Sequence, residues 1–135
     1  MSHILIVEDE LKLARLEADY LHNAGFDTQC LSNGLDVLPW FEANHTDLIL
    51  LDLNIPKKDG RELLAEIKSD NGLKIIPIIV LSTSKNEKDI VTSYELKANC
   101  YICKPVELDS FINIILEIEK FWLKTVKLPD YKKIN

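Results

Sequence analysis

The chain alternates between short apolar runs and longer segments in which apolar residues recur every three or four positions. Runs rich in Ile, Leu and Val are typical of strands that are buried on both faces of a parallel sheet. Five such runs predict strands at residues 3–8, 27–31, 48–51, 75–81 and 99–103. The third run is the clearest, four consecutive apolar residues that end on Asp52, and the second is the weakest.

The segments between these runs have helical periodicity. They predict helices at residues 10–24, 33–44, 60–69, 87–96 and 107–123. In the first helix one apolar stripe is expected to face the sheet, and the charged residues, among them Glu17, are expected to lie mostly outside it. Gly25 ends that helix. Pro39 predicts that the second helix is distorted or begins late, because an interior proline removes a backbone hydrogen bond.

Five strands that alternate with five helices predict a doubly wound α/β domain over residues 1–123, with helices on both faces of a parallel sheet. The expected strand order is the flavodoxin-like 2-1-3-4-5, which places the first and third strands side by side. Residues 124–135 are predicted to form a loosely held C-terminal tail. Ligands of such sheets bind at the carboxyl ends of the strands, so the residues at those ends are the candidates for function.

Composition and charge limit the classes of function. The chain has 22 acidic and 16 basic residues and a net charge of −6, so direct nucleic-acid binding is not expected. No apolar run approaches the ~18 residues that span a bilayer, and no signal segment is recognisable, so the predicted location is the cytoplasm. The three cysteines fit a reducing compartment. The spacing of Cys100 and Cys103 could indicate a redox pair or half of a zinc site, but on a strand the two side chains point to opposite faces, and no second Cys/His pair follows. Both are therefore expected to be buried packing residues.

Unusual side chains stand at the ends of four of the five predicted strands. In chain order they are Glu8 with Asp9, Asp52, Ser82 and Lys104. If the first and third strands are neighbours, three carboxylates share one crevice, and such a cluster either raises a pKa or needs a counter-cation. Mg²⁺ is the natural occupant, because it prefers oxygen ligands and keeps several waters.

The same residues fit a phosphoryl-transfer site. Asp52 is the expected nucleophile, since carboxylates form acyl phosphates. Lys104 supplies a fixed positive charge for a phosphate oxygen, and Ser82 supplies a hydroxyl that donates a hydrogen bond to the same group. None of these residues is specific alone. Their order at the ends of successive parallel strands carries the argument.

Several motifs surround these residues. They are Val7-Glu8-Asp9, Leu51-Asp52-Leu53-Asn54-Ile55-Pro56, Asp59-Gly60, Leu81-Ser82, Tyr101 and Lys104-Pro105. In combination they resemble the receiver domain of response regulators, the CheY-like family of two-component signalling, over residues 3 to about 122. The resemblance implies that a histidine kinase phosphorylates Asp52. It also implies that the protein is not an enzyme in the usual sense and catalyses only its own phosphorylation and dephosphorylation.

The resemblance further implies a ligand set. Mg²⁺ would be held by the side chains of Asp9 and Asp52 and by the backbone carbonyl of Asn54, with Glu8 assisting through water. A cis peptide bond before Pro105 would aim the preceding lysine at the site.

A switch is implied as well. Ser82 would move toward the phosphoryl group and Tyr101 would rotate into the vacated space, which couples a charge change to the face made by the fourth helix, fifth strand and fifth helix. The chain departs from the family pattern at Lys97, where glycine is frequent. Asn54 and Ser84 occupy positions that the family uses to tune autodephosphorylation.

Different segments resemble different subfamilies. Residues 77–84 and 121–129 resemble stand-alone receivers that are paired with phytochrome-type kinases, whereas residues 31–39 look more like receivers of winged-helix transcription factors. A phytochrome-type histidine kinase is therefore one expected partner. Two alternatives stay open: a phosphorelay intermediate that passes phosphate to a histidine phosphotransfer partner, and a receiver cut from, or recombined with, a transcription factor.

The last predicted helix is apolar on two sides. One stripe is expected to face the core: Leu108, Phe111, Ile112, Ile115 and Trp122. A second stripe, formed by Ile114, Ile118 and Phe121, predicts a homodimer through the fifth helix and the tail, since an extra apolar face often packs against a partner. The alternative is that the tail folds back over the second stripe.

Two other classes of protein compete with the receiver. A phosphatase of the haloacid dehalogenase type also uses a strand-end Asp nucleophile, but it needs a second Asp two residues later, where this chain has Asn54. A flavodoxin-like cofactor carrier needs a phosphate loop rich in Ser, Thr or Gly after the first strand. The acidic segment Glu8-Asp9-Glu10 is electrostatically unfavourable there.

Overall fold

The computed structural model describes residues 2–130 and contains a five-stranded parallel sheet. The strands are β1 (His3–Val7), β2 (Asp27–Leu31), β3 (Leu48–Asp52), β4 (Ile78–Ser82) and β5 (Cys100–Cys103). Their order across the sheet is β2-β1-β3-β4-β5, and every neighbouring pair is parallel. The predicted doubly wound α/β sheet and its strand order are therefore confirmed.

Five α-helices connect and follow the strands. They are α1 (Leu11–Asn23), α2 (Val37–Phe41), α3 (Gly60–Ser69), α4 (Glu87–Glu95) and α5 (Leu108–Ile118). A 3₁₀ turn at Gly34–Asp36 precedes α2, and a π-helical segment at Glu119–Thr125 continues α5. Pro39 is the third residue of α2, where a backbone N–H has no partner inside the helix. The late start that Pro39 predicted is thus confirmed.

Two apolar clusters cover the two faces of the sheet. One cluster packs the sheet against α2 and α3, and the other packs it against α1 and α5. Each cluster takes alternate residues of the same strand: Leu5 and Val7 of β1 lie in the first, and Ile4 and Ile6 lie in the second. Each fully buried side chain of this size contributes roughly 1.5–3 kcal/mol. Packing from both sides therefore holds the strand ends, and the residues that follow them, in fixed positions.

The start of β4 differs from the prediction. The strand begins at Ile78, whereas Ile75 lies in a turn and is exposed. Pro77 has no N–H to donate to a neighbouring strand. The N–H of Ile78 donates to the side-chain oxygen of Asn99 at 2.9 Å. Because a continuous apolar run has no periodicity, the sequence does not indicate which residue is the first to pair with the neighbouring strands.

The position of Glu17 contradicts the prediction that this residue lies outside the buried stripe of α1. Its side chain is buried, as is that of Leu21. Residues four apart lie on the same side of a helix, so Glu17 shares the inner face with Leu21. The spacing from Leu13 through Glu17 to Leu21 would have predicted this placement.

The predicted stripes of the last helix are partly wrong. Ile118 is buried in the core beside Phe111, whereas Leu108 is 45% exposed rather than inward-facing. The π-helical segment changes the helical winding after Ile118 and leaves Phe121 exposed. The predicted end of the domain at residue 123 falls within this segment, and residues 131–135 of the predicted tail lie outside the described residues.

The cysteines are half-buried or exposed rather than buried. Cys100 packs against the cluster beneath α1 and α5, while the sulfur of Cys103 lies 3.7 Å from the carbonyl oxygen of Ser84. All three are free thiols. Among residues 2–130, the helices are all too short or too polar to cross a bilayer.

Candidate functional site

The carboxyl ends of four neighbouring strands meet at one edge of the sheet. Glu8 follows β1, Asp52 ends β3, Ser82 ends β4 and Lys104 follows β5. The strand register aligns these ends, because Asp52 pairs with the last but one residue of β4 and Ser82 pairs with the last residue of β5. The structure therefore brings together side chains that are far apart in the sequence.

Three carboxylates form the centre of this edge. Glu8, Asp9 and Asp52 each offer one oxygen, and these oxygens all lie within 4.8 Å of one another. Glu8 and Asp52 are buried, whereas Asp9 is exposed. The cluster is thus open to solvent on one side, and its oxygen donors suit a hard divalent cation that keeps some of its water.

Lys104 is the positive charge of the cluster. Its side chain is buried, and its Nζ donates to Oε1 of Glu8 and, at 3.1 Å, to Oδ2 of Asp52. Its backbone N–H donates to the carbonyl oxygen of Ser82 at 2.7 Å, which fixes the loop after β5. The described residues contain no cis peptide bond, so the prediction of a cis bond before Pro105 is wrong. With a trans bond the lysine already reaches both carboxylates.

Burial and neighbouring charges shift the pKa values of two groups at this site, Glu8 and Lys104. Burial raises the pKa of Glu8 above its ordinary value, the carboxylate of Asp52 adds to this, and the ammonium of Lys104 opposes it. Burial alone would lower the pKa of Lys104, but the hydrogen bond to Glu8 and the negative charges of Asp52 and Glu8 outweigh it, so the pKa is raised. Lys104 is therefore held firmly in its charged form, and an added cation would relieve the remaining repulsion.

The loop after β3 positions the other oxygen of Asp52. The N–H of Asn54 donates to Oδ1 of Asp52 at 3.1 Å. The loop is held close to the strand because the N–H of Gly60 donates to the carbonyl of Leu53 at 2.9 Å. A Cβ atom at Gly60 would lie 2.5 Å from Cα of Leu53, so only glycine fits at the start of α3.

Ser82 and Tyr101 lie on the neighbouring strands. Ser82 is buried, and its hydroxyl oxygen accepts from the N–H of Ser84 at 3.2 Å. Tyr101 is half-buried, and its hydroxyl donates to the carbonyl oxygen of Ser84 at 2.9 Å. Both predicted switch residues are thus bonded to the same loop residue.

One further acid lies behind the site and was not predicted. Glu17 is buried, and its Oε1 has no hydrogen-bond partner among the described residues. Burial, together with the carboxylates of Glu8 and Asp52, raises the pKa of Glu17 to about 8, against the opposing charge of Lys104. Glu17 is therefore mostly uncharged at neutral pH.

Comparison with known proteins agrees with this arrangement. The family model of the response regulator receiver domain matches residues 4–116. Response regulator Rcp1 of Synechocystis sp. is 44% identical over 135 residues, which cover 93% of this chain and 92% of Rcp1.

Two solved structures are similar over nearly their whole length. The Mn(2+)-bound form of Rcp1 has a TM-score of 0.91 and 42% identity, covering 96% of this chain and 100% of that one. The phosphorylated cyanobacterial phytochrome response regulator RcpA has a TM-score of 0.92 and 46% identity, covering 96% and 99%. These matches decide against the phosphatase and the cofactor carrier. The chain belongs to the response regulator receiver domain family, and it is a receiver of two-component signalling.

Proposed function

We propose that Asp52 is the phosphoacceptor of this receiver and that Mg²⁺ is its cofactor. The observation that carries the proposal is the engagement of both carboxylate oxygens of Asp52, Oδ2 by Lys104 and Oδ1 by the N–H of Asn54, each at 3.1 Å. The carboxylate is held at the edge of the sheet beside two further acids. It is thus oriented for attack on a phosphoryl group that arrives from solvent.

The chemistry needs positive charge beside the carboxylates. An oxygen of Asp52 attacks the phosphorus atom, the bond from phosphorus to the leaving atom of the donor breaks, and an acyl phosphate remains. Lys104 neutralises part of the charge that gathers on the phosphoryl oxygens. Mg²⁺ supplies further positive charge when bound, and we assign it to the carboxylates of Asp9 and Asp52 and the backbone carbonyl of Asn54, with Glu8 acting through water. The Mn(2+)-bound form of Rcp1 supports a divalent cation in this family.

The proposed donor is a histidine kinase of the phytochrome type, acting in the cytoplasm. RcpA, which is 46% identical to this chain, is described as a phytochrome response regulator. After transfer, Ser82 would donate to the phosphoryl group and Tyr101 would change its position. The face formed by α4, β5 and α5 would then carry the signal to a protein partner.

Incubation with acetyl phosphate and Mg²⁺ tests this proposal. The chain is expected to gain the mass of one phosphoryl group, measured by intact-mass spectrometry, and Asp52→Asn is expected to abolish the gain because it removes the nucleophile. Asp19→Asn is the matched control, since Asp19 is an exposed acid on α1, outside the site. An equal gain in the Asp52→Asn variant, or no gain in the natural chain, would refute the assignment.

We also propose a homodimer through the α5 surface, which comprises Leu116, Glu117, Lys120, Phe121 and Thr125. Leu116 and Phe121 are 42% and 55% exposed. The last four of these residues line a cavity of about 330 Å³. Glu117 and Lys120 carry opposite charges, so a two-fold axis can pair Glu117 of one copy with Lys120 of the other.

Light scattering after size-exclusion chromatography tests the dimer. The chain at high micromolar concentration, with Mg²⁺ and beryllofluoride as phosphate mimic, is expected to have the mass of a dimer. Phe121→Ser is expected to yield a monomer, because it removes the largest apolar side chain of the α5 surface. Val106→Ser, which changes a fully exposed apolar residue outside that surface, should remain a dimer. If the unsubstituted chain were monomeric both with and without beryllofluoride, the homodimer proposal would be refuted.

A further inference from the structure

Ser84, two residues after β4, connects several parts of the molecule. Its N–H donates to the hydroxyl oxygen of Ser82 at 3.2 Å, and its carbonyl accepts from the hydroxyl of Tyr101 at 2.9 Å. Its own hydroxyl donates to Oδ2 of Asp89 at 2.6 Å. These bonds join both predicted switch residues and helix α4 to a single residue of a loop.

Asp89 extends the connection to α3. Its Oδ1 pairs with Nη2 of Arg61 at 3.0 Å, and Nη1 of the same guanidinium pairs with Asp59 at 3.2 Å. Asp59 also accepts from the backbone N–H of Arg61, and so caps α3. The hydrogen bond from Ser84 and the charge of Arg61 lower the pKa of Asp89, so this carboxylate is ionised at neutral pH.

Helix α3 is a firm support for this chain of contacts. It begins at Gly60, which packs directly against the end of β3, and its apolar residues Leu63 and Leu64 are fully buried. Arg61 has a planar guanidinium whose nitrogens are fixed relative to one another, so its contacts to two carboxylates restrain both. Arg61 and Asp89 lie outside the proposed phosphoacceptor site, yet they fix the residue to which Ser82 and Tyr101 are bonded.

We infer that Arg61 and Asp89 are positioning residues of the switch. Their ion pair holds Ser84 in place, so that when Ser82 bonds to the phosphoryl group, Tyr101 changes its position in response. The inference rests on the proposed function of Asp52. Without the pair Ser84 is held less firmly, so Ser82 maintains its bond to the phosphoryl group less well and Tyr101 responds less.

The expected size of the effect is modest. The two side chains are 28% and 30% exposed, so water screens the pair. Exposed ion pairs of this kind change an equilibrium by a factor of about two to five. The lifetime of the phosphoryl group on Asp52 is expected to shorten by that factor when either partner is neutralised.

A double-mutant cycle tests the inference, with Arg61→Gln, Asp89→Asn and the double variant. Each chain is loaded with acetyl phosphate and Mg²⁺, the donor is removed, and loss of the phosphoryl mass is followed with time. The second readout is the ¹⁹F signal of fluorotyrosine at Tyr101, assigned with Tyr101→Phe and recorded before and after beryllofluoride. Each single variant should shorten the lifetime about two- to five-fold and reduce the shift of this signal. The double variant should do no more than the stronger single variant.

Two further variants complete the design. Lys124→Gln breaks another exposed ion pair, to Glu119 at 2.9 Å on the π-helical segment, and should keep the natural lifetime. Asp89→Glu keeps the negative charge that Asp89→Asn removes, and it should recover most of the phosphoryl lifetime. Unchanged lifetimes and Tyr101 shifts in both single variants would overturn the inference, as would effects that multiply in the double variant. If the natural chain gains no phosphoryl mass, the proposed function itself fails.

Discussion

At the scale of the residue, Glu17 departs furthest from the ordinary rules of burial. Carboxylates are almost never fully buried unless they are paired, yet this side chain is 1% exposed and its Oε1 has no partner among the described residues. Burial is the largest cause of its raised pKa, and the nearby carboxylates of Glu8 and Asp52 add to it. The fold accommodates this group by keeping a proton on it, and the proton has a consequence for stability.

Replacing Glu17 with methionine is expected to stabilise the fold at pH 8 and to change it little near pH 4.5. The ordinary pKa of the group is 4.5 and its pKa in the folded chain is about 8. The unfolded chain therefore releases its proton first, and stability falls as the pH rises through this window. Removal of the acid should increase the free energy of unfolding by about 3–4 kcal/mol at pH 8. Urea unfolding followed by circular dichroism at both pH values measures the change.

Asp19→Asn is the matched control for Glu17→Met. Asp19 is an exposed acid on the same helix, so its neutralisation should produce no comparable gain at pH 8. If Glu17→Met stabilised the fold equally at pH 4.5 and pH 8, improved packing would be the cause, and the argument from ionisation would be wrong.

The same scale shows which site residues a sequence can predict. Glu8, Asp52, Ser82 and Lys104 stand at strand ends, and parallel strands bring such ends to one edge of a sheet. Their proximity follows from the topology alone. Glu17 lies on a helix, where the inward face depends on the rotation of that helix against the sheet, although its spacing to Leu21 carried the information.

The pair of Arg61 and Asp89 shows where residue-level prediction ends. The two residues lie on different helices, and nothing in their local sequence relates them. Their contact depends on how α3 and α4 pack at the edge of the sheet, which only the folded chain specifies.

At the scale of the element, all five strands were predicted, and the signal is strongest for β1, β3 and β4, because these strands are buried on both faces. The edge strands β2 and β5 are partly exposed. Each predicted run overlaps the observed strand, and the largest displacement is at β4, where Pro77 delays pairing until Ile78. The extent of the short second helix was overestimated, since the 3₁₀ turn at Gly34–Asp36 replaces its predicted beginning.

The end of α5 could not be predicted from periodicity. A stripe drawn with 3.6 residues per turn assumes constant winding, and the π-helical segment Glu119–Thr125 breaks that assumption. Ile118 precedes this segment and lies in the core because it shares the inner face of α5 with Phe111 and Ile115. Phe121 lies within the segment and is exposed. The expected exposed stripe becomes the smaller α5 surface, and the case for a dimer now depends on Phe121 and Leu116 rather than on Ile118.

At the scale of the whole molecule, folding concentrates negative charge at one edge of the sheet. The chain has a net charge of −6, and the oxygens of Glu8, Asp9 and Asp52 are brought within 4.8 Å of one another. Lys104 compensates only part of this charge. In the unfolded chain the same groups are separated and solvated, so their repulsion acts against the folded state. A cation that binds only when these groups are assembled should therefore stabilise the entire fold.

Mg²⁺ is thus expected to raise the melting temperature. A ligand that binds only the folded chain adds about 2.7 kcal/mol at a hundredfold excess over its Kd, which corresponds to roughly 8–12 °C for a domain of this size. Thermal unfolding by circular dichroism at constant ionic strength measures the shift.

Asp9→Asn should raise the melting temperature without Mg²⁺, because it relieves repulsion, and should remove most of the gain from Mg²⁺. Glu10→Gln, at the exposed neighbouring position, should keep that gain. If Asp9→Asn gained as much from Mg²⁺ as the natural chain, the stabilising ion would bind elsewhere and the proposed ligand set would be wrong.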